Sequence, residues 1–373
     1  GDPEASAGLD AAVALGKGRD IAVILYTSGT TGLPKGVMLT HQNLVANVLQ
    51  LGTCGHFVPD DRYVCVLPMF HIYGLVAITN VALHLGATVH VTPRYELASL
   101  LATLASARIT VAHLVPPIVL QLVKHPDVVR GAFPHLRTIF SGAAPLSPSV
   151  IDACRERLGV NVIQGYGMTE ASPTTHVSPV EPELQRAGSV GTLAANTECR
   201  IVDPESGRDV ARGACGEIWV RGPQVMKGYL NEPAATRATV DAGGWLHTGD
   251  IGRVDDDELL HVVDRLKELI KYKGFQIAPA ELEAVLVAHP AVADAAVIPL
   301  ADDEAGEVPK ALVVSRSAVA ADELLAFVAS RVAPHKKLRA LEFVDAIPRS
   351  SSGKILRRLL VAAERARGAG QGA

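Results

Sequence analysis

The first strong pattern along the chain is an uninterrupted apolar run, Ile21-Ala22-Val23-Ile24-Leu25-Tyr26, which stops at a cluster of Ser, Thr and Gly. A run without polar alternation predicts a strand covered on both faces, as in a parallel sheet. A short apolar stretch at 37–39 predicts a second strand. Behind it, Thr40 is suited to cap a helix whose apolar positions Leu44, Val45, Val48 and Leu51 recur at helical spacing. The Ala/Gly-rich residues 1–20 carry no such pattern and read as a lead-in.

Further strands are predicted at 63–67, 87–91, 136–140 and 160–164. Helical patterns lie between them, and Pro148–Leu158 opens on a proline and stops before Gly159. This alternation predicts a layered α/β sheet. From 199 to 263 the chain turns to short strands with Gly, Pro and Asp turns, such as Gly216-Glu217-Ile218-Trp219-Val220, which predicts a β-rich subdomain at about 185–264. After Asp264-Arg265-Leu266-Lys267 come a helix at 279–289, strands at 295–299 and 311–314, a helix at 322–332 and a basic helix from near Ile355. The expected organisation is a large α/β domain over 1–264, a hinge at 265–267 and a mobile α+β domain over 268–373. The Gly/Ala-rich stretch 368–373 is expected to fray.

Composition narrows the function. At about 150 residues per domain, 373 residues suit two or three domains, and 48 % hydrophobic with 20 % charged residues excludes a disordered chain. The charge sum, 35 − 39 = −4, leaves no global basic field, so neither a nucleic acid nor an anionic membrane is expected as a partner. Five widely spaced cysteines without a Cys-x-x-Cys pair argue against disulfides or structural zinc and for a cytoplasmic protein. The longest apolar stretches, 72–85 and 111–123, are broken by Asn80 and His84 and by Pro116-Pro117, so no membrane span is expected.

The most informative segment is Tyr26-Thr27-Ser28-Gly29-Thr30-Thr31-Gly32-Leu33-Pro34-Lys35-Gly36. Its glycines let backbone N–H groups approach an anion, Thr27, Ser28, Thr30 and Thr31 offer hydroxyl donors, and Lys35 supplies charge. A flexible Ser/Gly linker would have neither the preceding strand nor the embedded lysine. The loop is not a Walker A motif, and the chain contains no Gly-x-Gly-x-x-Gly fingerprint.

This loop resembles the signature of the adenylate-forming superfamily: acyl- and aryl-CoA synthetases, peptide-synthetase adenylation domains and luciferases. Ser141-Gly142-Ala143-Ala144-Pro145, by itself an ordinary strand-ending turn, would lie along the adenine. In Gln164-Gly165-Tyr166-Gly167-Met168-Thr169-Glu170 the resemblance implies that Tyr166 stacks on adenine and Glu170 holds Mg²⁺. Gly165 and Gly167 free the backbone there, and Thr169 bonds a phosphate. Asp250, in isolation a turn residue, would accept from both ribose hydroxyls, with Arg265 as the second contact. An isolated lysine is normally a solvated charge. The resemblance gives Lys354 the adenylation step, and gives Lys271, Gly274 and Gln276 the thiol path after the C-terminal domain rotates. A histidine among aromatics more often packs than reacts. In Pro68-Met69-Phe70-His71-Ile72-Tyr73-Gly74, however, the resemblance makes His71 a gate between carboxylate and pantetheine tunnel. Ile72, Tyr73, Phe140, Gly142, Gly167 and Pro173 would line the acyl pocket.

The resemblance is nearest to 4-coumarate or cinnamate CoA ligases, over about 20–358. Plant members place a lysine where this chain has Phe140, which favours an unsubstituted or aliphatic acyl group. They also carry a segment upstream of the phosphate loop, so the large domain is expected to be N-terminally truncated and to need that segment. The implied activity is ATP-dependent ligation of a cinnamate-like or medium-chain acid to CoA through an acyl-adenylate, with ATP, Mg²⁺ and CoA. The alternatives are an adenylation domain loading a carrier protein and a truncated nucleotide-binding module without turnover.

Overall fold

The computed structural model describes residues 18–27, 34–350 and 353–370. Its largest sheet runs in the order Thr88–Val91, Arg62–Cys65, Val111–Leu114, Thr138–Ser141, Asn161–Gly167, Thr174–Val177 and Thr192–Leu193. The first five strands are parallel and the last two return antiparallel. Val111–Leu114 and Thr138–Ser141 are buried at every position, as strands covered on both faces must be. Helices Leu97–Ser106, Pro116–Lys124 and Pro148–Leu158 supply Leu100, Leu122 and Val150 to the same core. Pro148 begins its helix and Gly159, at φ 72°, ends it, as predicted.

One expectation needs correction. Ile21–Tyr26 is not a parallel strand: it pairs antiparallel with Gly36–Thr40, and Ile21, Ile24 and Tyr26 stay exposed. An apolar run does not fix the direction of its partner, and the short connection over 27–35 brings the chain straight back as a hairpin. Val111–Leu114, read only as part of an interrupted apolar stretch, is a central strand. Tyr73–Asn80 is a π-helix that continues into the α-helix Val81–Leu85. The other predicted strands shift by a few residues: 63–67 ends at Cys65, and 160–164 extends to Gly167.

Gly228–Tyr229 joins Gly36–Thr40 as a third strand. Helix His41–Gly52 starts on a reciprocal cap in which Asn43 N donates to Thr40 Oγ1 and Thr40 N to Asn43 Oδ1. Asn43 Nδ2 also donates to the carbonyls of Pro223 and Val225, both at 2.8 Å, so the cap fastens a distant turn to the helix start. Four antiparallel strands, Glu198–Val202, Gly216–Arg221, Leu246–Val254 and Leu260–Arg265, form the β-rich sheet around Ile218, Val220, Leu246 and Leu260.

Beyond Arg265 a further sheet is built on the long hairpin Val292–Asp302 and Gly306–Ser315, with Ile270–Tyr272, Phe275–Ile277 and Ala340–Phe343 beside it. Helices Pro279–Val287 and Ala321–Ala329 cover Ile277, Val297 and Val313. Both end two or three residues earlier than predicted. The last helix is Arg357–Gly370, starting after Ile355, which bridges to Arg349, and running into the stretch expected to fray. Buried Arg357 pairs with Glu268 and Glu283 and donates to Val297 O at 2.7 Å. The segment after Arg265 is thereby tied to this second body.

Candidate active site

Turns that leave the C-terminal ends of the parallel strands carry several of the expected residues, the position at which open α/β sheets bind ligands. Thr138–Ser141 passes into Gly142-Ala143-Ala144, with Ala143 in the left-handed region at φ 73°. Gly142 lies against Tyr73, where an added Cβ would sit 3.1 Å from the ring, and Tyr73 Oη donates to Phe140 O at 3.1 Å. Asn161–Gly167 carries Gly165 and Tyr166. A Cβ on Gly167 would fall 1.9 Å from Pro173 O, which also accepts from Met168 N at 2.9 Å. Glycine is therefore required at 167 by the close approach of the Pro173 backbone.

The β-rich sheet delivers the next group. Asp250 and Arg265 are register partners on adjacent strands, and Arg265 Nε lies 3.1 Å from Asp250 Oδ1. Tyr166 Oη donates to the other carboxylate oxygen at 2.7 Å. Thr248 Oγ1 accepts from Asp250 N at 3.1 Å and donates to Ile218 O at 2.7 Å. Asp250 is buried, and its carboxylate is held between a phenol and a guanidinium, the partnering that a buried charge needs. The residues expected at adenine and at ribose are thus one connected unit.

Glu170 sits in the short 3-10 turn Thr169–Ala171 and is buried. Tyr229 Oη donates to Glu170 Oε1 at 2.8 Å, and Lys35 Nζ stands 4.9 Å from the centroid of the Tyr229 ring. The expected phosphate-loop residues Ser28, Gly29, Thr30, Thr31 and Gly32 lie outside the described residues. The ends of that loop are held together, because Thr27 N donates to Lys35 O at 3.0 Å and Tyr26 pairs with Gly36. No cluster of three metal-ligating side chains occurs among the described residues. A single buried carboxylate hydrogen-bonded to Tyr229, whose ring Lys35 covers, fits a Mg²⁺ that arrives with a nucleotide and takes most of its ligands from phosphates and water.

Lys354 reaches this site from the second body. Burial and the Arg265 charge push its ammonium below the usual lysine range, while Asp250, Glu170 and Glu268 act in the opposite direction. Burial, with Lys354 adding to it, holds the His71 imidazole down at about 4. His71 Nδ1 accepts from Tyr73 N at 3.2 Å, which leaves the proton of the neutral ring on Nε2. His71, Glu170, Asp250 and Arg265 are therefore each within electrostatic reach of Lys354, although the five come from separate stretches of sequence.

Comparison with known proteins gives this arrangement its kinship. Residues 2–230 match the family described as AMP-binding enzyme, and residues 281–354 match the AMP-binding enzyme C-terminal domain. The chain belongs to the AMP-binding enzyme family. This AMP-binding enzyme is 49 % identical over 351 residues to 4-coumarate–CoA ligase 2 of Oryza sativa subsp. japonica. That match covers 91 % of the chain and 62 % of the rice protein, so the chain spans less than two thirds of that relative's length. Among solved structures it resembles ATP-bound MatB from Rhodopseudomonas palustris, with 33 % identity, a TM-score of 0.87, and 93 % and 69 % of the two chains covered. It also resembles o-succinylbenzoate CoA synthetase from Bacillus subtilis in complex with ATP and magnesium, with 34 % identity, a TM-score of 0.82, and 93 % and 71 % covered.

In this AMP-binding enzyme, Lys271, Gly274 and Gln276 do not join the Lys354 group. They are exposed on the hairpin Ile270–Tyr272 and Phe275–Ile277, where Lys271 N donates to Glu307 Oε2 at 2.9 Å and Phe275 stacks on His335 with centroids 4.6 Å apart. Of the expected acyl-pocket residues, Ile72, Tyr73 and Phe140 are buried. Phe140 lies in an aromatic layer with Phe57, Tyr73 and His113, its ring centroid 5.3 Å from that of His113.

Two residues of the site were missed in the sequence. Tyr229, within a segment that shares the resemblance, was given no role, because its hydroxyl finds Glu170 only through the third strand of the small sheet. His113 is fully buried with neither ring nitrogen hydrogen-bonded among the described residues, and burial lowers it to about 3. A histidine in an otherwise apolar four-residue strand was the one available signal.

Proposed function

We propose that the chain catalyses ATP-dependent activation of a carboxylic acid to an acyl-adenylate, followed by transfer of the acyl group to the thiol of CoA. The observation that carries this reading is the meeting of Lys354, from the second body, with the Tyr166–Asp250–Arg265 unit and Glu170 of the first. An AMP-binding enzyme with 4-coumarate–CoA ligase relatives and ATP-bound structural neighbours supplies the chemical context.

In the first step the carboxylate attacks the α-phosphorus of Mg-ATP and pyrophosphate leaves. Tyr166 offers a ring, anchored through its hydroxyl, for the adenine to stack on. Asp250, already fixed by Arg265 and Thr248, is oriented toward the ribose. Glu170 would share the magnesium of Mg-ATP, and Lys354 would offset the charge that builds between carboxylate and α-phosphate. His71, neutral at physiological pH, adds no positive charge that would trap the carboxylate, so it serves as a steric and hydrogen-bonding gate.

In the second step the thiol sulfur attacks the acyl carbon and AMP leaves with the bonding pair. The separation of Lys271, Gly274 and Gln276 from the Lys354 group fits a rotation of the second body about 265–267 between the steps. The buried Phe140 favours a cinnamate-like or medium-chain acid without a ring hydroxyl. Incubation with Mg-ATP and a panel of cinnamate, hydroxycinnamates, benzoate and medium-chain acids, with and without CoA, tests the reading. It expects acid-dependent pyrophosphate release, with AMP and a CoA thioester accumulating when CoA is present. Saturable ATP binding with no release for any acid would favour a non-catalytic nucleotide-binding module.

A further inference from the structure

The helix Pro116–Lys124 belongs to the first body, yet both of its ends touch the second. At its start, Gly353 packs so closely that an added Cβ would stand 3.2 Å from Val115 Cγ2 and 3.8 Å from Pro117 Cδ. At its end, Lys124 Nζ donates to Val292 O at 3.1 Å. Burial is the main cause that brings this lysine down to about 8, with Arg316 pushing the same way and Asp294 opposing.

From Val292 the contacts lead back to the catalytic lysine. Two residues along the same strand, Asp294 binds Arg349 through both carboxylate oxygens, at 2.7 and 3.1 Å. Arg349 Nη1 then donates to Gly353 O at 2.7 Å, and Gly353 precedes Lys354. The turn is closed by Ser350 N donating to Lys354 O at 2.8 Å and Lys354 N donating to Ser350 Oγ at 3.2 Å. A two-ended helix and an Asp–Arg fork thus define where the Lys354 backbone stands relative to Asp250 and Glu170.

We propose that Lys124 is a positioning residue for acid activation. Its ammonium latches the second body by the Val292 carbonyl in the orientation that presents Lys354, and the latch must release before the thiol step. This rests on the two-step reading above. Nothing on Lys124 itself reaches the reacting atoms, so its action is on the equilibrium between orientations.

The test compares wild type with Lys124→Met, which keeps the apolar stem, and Lys124→Arg, which keeps a cation. The two half-reactions are measured separately, as acid-dependent ATP–pyrophosphate exchange and as thioester formation from supplied acyl-adenylate. Lys124→Met is expected to lower kcat of exchange by about tenfold, the loss of one charged hydrogen bond. KM for ATP and acid should hold, thioester formation should stay equal or rise, and Lys124→Arg should recover most of the exchange. Equal loss in both half-reactions, or no loss in either, would overturn the latch.

Amide hydrogen exchange provides a readout that does not need turnover. In Lys124→Met, the peptide around Arg349 to Ile355 should exchange faster while the hairpin Val292–Asp302 and Gly306–Ser315 stays as protected as in wild type. Unchanged exchange around Lys354 would overturn the latch even in a chain inactive toward every acid. Inactivity of the wild type itself would count against the two-step reading instead.

Discussion

The phenol of Tyr229 donates to Glu170 Oε1 at 2.8 Å, so a residue of the small three-stranded sheet fixes this buried carboxylate. The same ring faces Lys35. Tyr229→Phe keeps the ring and removes the donor. A lost hydrogen bond to a charged group costs about 1.5–3 kcal/mol, so acid activation should fall by roughly tenfold or more, with a higher Mg²⁺ requirement and an unchanged fold. Magnesium titration of pyrophosphate exchange checks this, and an unchanged magnesium midpoint would remove Glu170 from the metal role.

Tyr166 and Asp250 separate in the same way. Tyr166→Phe leaves a stacking face and frees one oxygen of Asp250, so KM for ATP should rise a few-fold with kcat nearly kept. Tyr166→Ala removes the face as well and should weaken ATP binding much further, by about 1–3 kcal/mol if stacking is worth what base–aromatic contacts usually give. Calorimetric titration with ATP distinguishes these outcomes; equal effects of the two variants would show that the ring does not stack.

Gly167→Ala should abolish activity and lower the melting temperature, since its Cβ would stand 1.9 Å from the Pro173 carbonyl oxygen. That atom is backbone already engaged by Met168 N, so it cannot yield without breaking the turn before Glu170. A soluble, active Gly167→Ala protein would contradict the described backbone.

The buried histidines set a pH dependence. Burial lowers His113 and His176 to about 3 and His71 to about 4. In the unfolded chain these groups take up protons below about pH 6.5, while the native fold refuses them until pH 3–4. The stability they contribute is therefore complete above pH 6.5 and is lost as pH falls from there toward 3. Urea midpoints should drop steadily between pH 7.5 and 4.5. His113→Leu should flatten that slope whatever it does to the midpoint at neutral pH, and an unaltered slope would mean that His113 is protonated or solvated in the native state.

Local chemistry made much of the fold legible. Thr40 and the spacing behind it predicted helix His41–Gly52, and Pro148 with Gly159 bounded its helix correctly because caps are written in adjacent residues. Partner direction is not local, which is why the apolar run Ile21–Tyr26 was read as parallel. The C-terminal hairpin was predicted too short because Asp294 and Lys310 look like polar interruptions. In the fold, Arg349 pairs with the first, and Glu342 and Glu364 with the second.

The grouping of residues was legible where a motif carries several groups together, as in Gln164 to Glu170, and where resemblance named Asp250 and Lys354, whereas Lys271, Gly274 and Gln276, named in the same way, stand apart on an exposed hairpin. Tyr229, Lys124 and the Asp294–Arg349 fork were not legible, since each acts through a partner between about 55 and 170 residues away that only the tertiary fold brings near. His113 stands between these cases: its residue type was visible, but its complete burial was not.

The central claim is that Lys354 serves acid activation while Lys271 serves the thiol step. Lys354→Ala and Lys271→Ala should be compared in acid-dependent ATP–pyrophosphate exchange and in thioester formation from supplied acyl-adenylate. The account predicts that Lys354→Ala loses exchange by about a hundredfold or more, the scale of removing a preorganised charge, and keeps thioester formation, with the reverse for Lys271→Ala. Near-normal exchange by Lys354→Ala would contradict it.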